Sequence, residues 1–172
     1  YWGNTSSNAP IAAMVRGGDA RLMRKVYELL KAGGSVEAAL DLSVVFGDLD
    51  ARPEALWSLL YLAGYLTTDD TEQPNSKDVV RRLRIPNLEI ASLYRSEIID
   101  RFAQIAGGRD CLIDLHRALV DGDAGLLAEE LEDVLLNSAS FYDLTSENSY
   151  HMLLVGLLFG VPGYGNPASN RE

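Results

Sequence analysis

Residues 53–87 read PEALWSLLYLAGYLTTDDTEQPNSKDVVRRLRIPN, and the periodicity changes twice within them. After Pro53, the residues Leu56, Leu59, Leu60 and Ala63 recur at helical spacing, and Gly64 stops the pattern. GYLTTDD follows, then a polar loop around Thr71 to Lys77. In DVVRRLRIPN the residues Val80, Arg82 and Arg84 alternate with Arg81, Leu83 and Ile85, the period of a strand, and Pro86 ends it. The stretch predicts a helix leading into two strands separated by a long loop.

Upstream, Ser7 or Asn8 can cap a first helix with Pro10 in its first turn, where a missing N–H costs nothing. Asp19 can cap a second, whose Leu22, Met23, Val26, Leu29 and Leu30 form one apolar stripe ended by Gly33-Gly34. In VEAALDLSVVFGDLD, Leu40, Leu42 and Val44 alternate with Asp41 and Ser43, which predicts a short strand there. Two helices followed by helix–strand–strand is the order of a winged-helix module.

Downstream the pattern is helical throughout. Asn87 can cap a long helix carrying Ala91, Tyr94, Ile98, Phe102 and Ile105 on one face, ended by Gly107-Gly108. Helices from about 110 to 120 and from about 124 to 137 form a hairpin over Asp121-Gly122-Asp123. In the second, Leu127, Leu131, Val134 and Leu135 are expected inside, and Glu129, Glu130, Glu132 and Asp133 wet. Ser146 can cap a last helix, 147–160, which is apolar nearly all round and so needs burial on every side. Little sequence follows to bury it, which raises the expectation of self-association through this helix and of a piece cut from a longer chain. The missing initiator Met at Tyr1 points the same way.

The 172 residues and 47% hydrophobic content suit one ordinary domain or two small ones. The net charge of -10 disfavours a general nucleic-acid or membrane-surface binder, since both need a positive footprint. The acidity is uneven: residues 1–86 hold 10 basic and 11 acidic side chains, residues 87–172 hold 5 and 14. The first part is therefore the better candidate for contact with DNA. Cys111 is the single cysteine, expected as a buried thiol in a reducing cytoplasm. No signal peptide is visible at the start, and no apolar run reaches the ~20 residues of a membrane span, so no membrane partner is expected.

No G-x-x-x-x-G-K-[ST] phosphate loop, no paired-His metal motif and no nucleophile elbow occurs. His116 and His151 are expected as surface or hydrogen-bonded histidines. The basic group Lys77, Arg81, Arg82 and Arg84 lies on or beside the second strand. Arginine there suits a DNA phosphate or minor groove; the plainer alternative is an edge strand guarded by charge.

Four segments, YWGNTSSN, LWSLLYLAGYLTTDD with RRLRIPNLEI, ENSYHMLLVGLLFGV and SNRE, together resemble a bacterial family. Its members are predicted AAA-like ATPases with a C-terminal PD-(D/E)XK nuclease-like domain. The resemblance covers nearly the whole chain. It implies a mainly α fold: a winged-helix-like module with a small β-hairpin (1–86), a helical linker bundle (87–145), and the first helix and truncated start of a nuclease-like domain (146–172). In the family the ending SNRE usually runs on as Ser-Gly-x-Gly-Arg-x-Asp, ahead of the metal-binding Asp and Glu-x-Lys. ATP and Mg are thereby implied for the parent and no cofactor for this piece, whose partners would be the parent's remaining domains. Glu147, at the start of the last helix, and Glu172 are the candidates for residual acidic members of the nuclease-like site. Each also has a plainer reading: Glu147 as a favourable first-turn charge, Glu172 as a terminal residue. The expected role is non-catalytic coupling of an ATPase core to the nuclease-like domain. The alternatives are a stand-alone helical interaction module and a winged-helix DNA-binding module.

Overall fold

A computed structural model describes residues 9–17, 20–44, 55–70, 79–138, 147–165 and 167. Among the described residues are seven helices and three short strands, a mainly helical fold with one small antiparallel sheet. The chain divides into two compact units, residues 1–94 and 95–172. Pro53, Lys77 and the expected caps Ser7, Asn8, Asp19 and Ser146 lie outside the described residues.

The first unit runs α1 (Ala9–Gly17), α2 (Ala20–Leu30), β1 (Val36–Leu40), α3 (Ala55–Leu62), β2 (Thr67–Thr68) and β3 (Val79–Arg84), then enters α4 (Leu88–Ile105). The stripe read in α2 is real: Met23, Val26, Leu29 and Leu30 are buried. The turn after it needs both glycines. Gly33 takes φ 68°, and a β-carbon on Gly34 would strike the Glu28 carbonyl oxygen.

The strand that follows differs from expectation. It occupies 36–40 rather than 40–44, with Val36, Ala38 and Leu40 buried and Glu37 and Ala39 exposed. The physical reason is turn chemistry. The Asp41 carboxylate accepts hydrogen bonds from the Ser43 N–H (2.9 Å) and hydroxyl (2.5 Å), which closes an Asx turn over the residues whose alternation resembled a strand. The Asp41 N–H donates in turn to the Oγ of Ser58, a buried hydroxyl on α3, at 2.9 Å.

Every residue of α3 from Ala55 to Leu60 is buried, so this helix is the centre of the unit. It packs on α1 and β1. The two strands predicted after it do pair, antiparallel, with Thr67 opposite Arg84 and Thr68 opposite Leu83. β1 adds on the far side of β3, from Val36 opposite Leu83 to Leu40 opposite Val79, giving the order β1-β3-β2. β3 is thus the middle strand, flanked by β1 along 79–83 and by β2 only at Leu83 and Arg84. Leu40, Leu60, Leu66 and Leu83 close the core with Tyr94, whose hydroxyl donates to the Tyr65 carbonyl at 3.5 Å.

Asn87 caps α4 as expected, its side-chain oxygen accepting from the Ile90 N–H at 2.9 Å. The second unit holds the rest of α4, then α5 (Arg109–Asp121), α6 (Ala124–Ser138) and α7 (Glu147–Leu157). Gly122 ends α5 in the left-handed region, and Asp123 caps α6 through the Leu126 N–H at 3.0 Å. α6 is peripheral. Val134 is buried, Leu127 and Leu131 are half-buried, and Leu135, expected inside, is exposed. Cys111, in the first turn of α5, is only partly buried.

The apolar helix α7 is buried along much of its described length. Met152, Leu153, Val155 and Leu157 are buried, as are Phe159 and Val161 beyond it; Tyr150 and Leu154 stay exposed. The coverage relies on Gly156, where a β-carbon would fall within the Phe102 ring. At the end of α7, the buried His116 donates from Nε2 to the Leu157 carbonyl at 2.7 Å. That carbonyl is among the last of the helix and has no intrahelical partner to expect.

Candidate nucleic-acid interface

Three arginines on β3 were the residues the sequence singled out. Strand alternation separates them. Arg82 and Arg84 share the solvent face with Val80, which is 58% exposed, while Arg81 shares the core-side face with the buried Leu83. Arg81 is partly buried, its Nε enclosed without a hydrogen-bond partner. The three therefore do not form one basic row.

The two outward arginines meet acids. The Arg84 guanidinium donates through Nε (2.7 Å) and an NH2 (2.5 Å) to the two oxygens of Asp69, a forked pair. This hydrogen bonding holds the Asp69 carboxyl below the ordinary carboxylate range and Arg84 above its own. Asp70 does something different. Among the described residues β2 pairs with β3 only through Thr67 and Thr68, and just beyond that pairing the Asp70 carboxylate accepts the Arg82 N–H at 3.1 Å. On the other flank Glu37 lies directly opposite Arg82 in the β1–β3 register. Along the free edge of β1, Lys25 donates to the Glu37 carbonyl at 3.1 Å with its Nζ 5.4 Å from the Trp57 ring centroid.

The solvent face of the sheet is therefore a chequer of two arginines and two acids, Glu37 and Asp69. The sequence reading missed both acids because their placement depends on register, not spacing. TTDD carried the only signal: Asp69 follows Thr67 by two, so it falls on the same face one step beyond the last pair.

The other two candidates are not brought together. Glu147 is the first residue of α7, with its side chain outside the described residues, and Glu172 lies wholly outside them. Among the described residues no three His, Cys, Asp or Glu side chains gather to hold a metal ion. His116 is spent on the Leu157 carbonyl. Beside it the second unit carries an apolar hollow of about 260 Å³, bounded by Ile113, Val120 and Pro162, with Arg117 and Asp121 at its rim. Arg117 is held by Asp114 at 2.8 Å. Among the described residues no helix is long and apolar enough to cross a membrane.

No family model matches the chain, and no curated protein or solved structure matches it.

Proposed function

We propose that the chain is a non-catalytic coupling module: a winged-helix-like unit and a helical unit that join an AAA-like ATPase core to a PD-(D/E)XK nuclease-like domain in a longer parent. The resemblance described above supplies the parent. The observation that carries the role is the sheet. Its order β1-β3-β2, with a buried helix α3 leading into β2, is compatible with a winged-helix-like unit and supports that reading. Yet its solvent face has each arginine matched by an acid. While Asp69 holds Arg84 and Glu37 stands opposite Arg82, the balanced face suits contact with protein better than contact with phosphate. Sequencing the gene to either side of these codons tests the reading. A Gly-Lys-Ser/Thr phosphate loop is expected upstream, and Asp followed by Glu-x-Lys downstream. A reading frame confined to this stretch would overturn it.

A second reading, a stand-alone interaction module, is favoured by the exposed apolar side chains of the second unit. Leu136 is 70% exposed, and Ile113 and Val120, 51% and 46% exposed, line the hollow. A partner retained by this chain alone, and lost on Ile113→Ser with Val120→Ser, would select it.

A further inference from the structure

We propose that the solvent face of the sheet is a phosphate-backbone site for duplex DNA, held closed by the Asp69 carboxylate of its own chain, with Glu37 a second negative charge opposite Arg82. The inference does not depend on the identity of the parent.

The donors come first. Arg82 and Arg84 stand two residues apart on one face of the middle strand, roughly 7 Å along it. Arg82 is exposed, and among the described residues its guanidinium makes no hydrogen bond. Two guanidinium forks side by side on a stiff strand are a pre-arranged receptor for oxyanions. The occupant supports this. Arg84 grips Asp69 with two parallel N–H···O bonds, the geometry it would use on a phosphate.

The two neighbouring aspartates separate structure from masking. Asp70 completes the ladder of β3 through a backbone N–H. Among the described residues the Asp69 carboxylate accepts from the Arg84 guanidinium and from no backbone N–H. Glu37 stands opposite Arg82 and supplies the second negative charge on that face. The closing pair is also displaceable, since the side chains of Arg84 and Asp69 are 41% and 74% exposed. An ion pair this wet is held weakly and yields to a stronger anion.

The test is binding of a short labelled duplex DNA, followed by fluorescence anisotropy across a salt series. The Glu37→Gln/Asp69→Asn double variant is expected to bind at least about tenfold tighter than the wild type, with a salt slope steeper by about two as two more phosphates are engaged. Adding Arg82→Ala and Arg84→Ala should abolish the gain. Glu129→Gln/Glu130→Gln, which changes the net charge by the same amount on α6, should give none. All these side chains are at least partly exposed, and circular dichroism confirms that each variant folds. The proposal is overturned if the double variant binds no better than the wild type, if the α6 variant gains as much, or if the gain survives loss of the two arginines.

Discussion

Gly156→Ala is the smallest change with a large expected effect. Alanine is ordinarily the better helix former by about 1 kcal/mol, and Gly156 lies inside α7, so local propensity alone predicts a more stable protein. The packing predicts the opposite. The added methyl would fall within the ring of Phe102, which is 1% exposed and has nowhere to swing. Overpacking a closed core costs about 1–3 kcal/mol, and overlap with a confined ring belongs at the upper end. The net loss is then about 2 kcal/mol after the propensity gain is returned. In a unit of this size that lowers the melting temperature by roughly 8–16 °C. Thermal unfolding by circular dichroism reads it directly. Phe102→Leu combined with Gly156→Ala should restore part of the loss, with a coupling of about 1 kcal/mol in a double-mutant cycle. A melting temperature equal to or above the wild type, or strict additivity with Phe102→Leu, would refute the close approach of these two residues.

Burial raises the Tyr94 phenol far above its ordinary range, so only the unfolded chain ionises it readily. Its contribution is complete below about pH 10 and is lost as pH rises further; by about pH 11 the wild type should lose about 1.4 kcal/mol more than Tyr94→Phe in urea unfolding. The Asp69 carboxyl, depressed by its hydrogen bonds from Arg84, should titrate by NMR below an ordinary aspartate and move back up in Arg84→Ala. The stability linked to it is present above that ordinary value and fades as pH falls through the depressed one, an effect kept small by exposure. His116→Leu should cost about 1–3 kcal/mol in chemical denaturation, because the buried Leu157 carbonyl loses its donor.

What was legible in the sequence was local. The α2 stripe, the Asn87 cap, the α5–α6 hairpin over Asp121-Gly122-Asp123 and the period-two run of β3 each follow from spacing or from one side chain acting on its own backbone. The misplaced strand had a local cause as well, but one that competes with the pattern used to find strands. Asp41 and Ser43 alternate with apolar residues while building a turn, whereas the true strand carries two alanines and a glutamate, poor β-formers that pairing with β3 overrides. The candidate site was legible only as composition. That Arg81 faces the core side while Arg84 holds Asp69 is fixed by which residues of β2 and β1 stand opposite, a matter of long-range register. Coverage of α7 was missed for a related reason: its partners Phe102 and His116 lie three and two helices earlier, on α4 and α5.

The position of β3 between the other two strands also sets the order in which the sheet can form. β1 and β2 do not touch each other; each waits for β3, and Leu40 meets Val79 only after α3 and β2 have been passed. Closing that loop costs chain entropy before any ladder bond rewards it. β2 and β3 meet across the shorter loop, Thr67 with Arg84 and Thr68 with Leu83, and can pair first; β1 then adds to the far side of β3. Formation of the sheet should therefore be limited by the docking of β1, Val36 to Leu40, on the strand that carries Arg82 and Arg84.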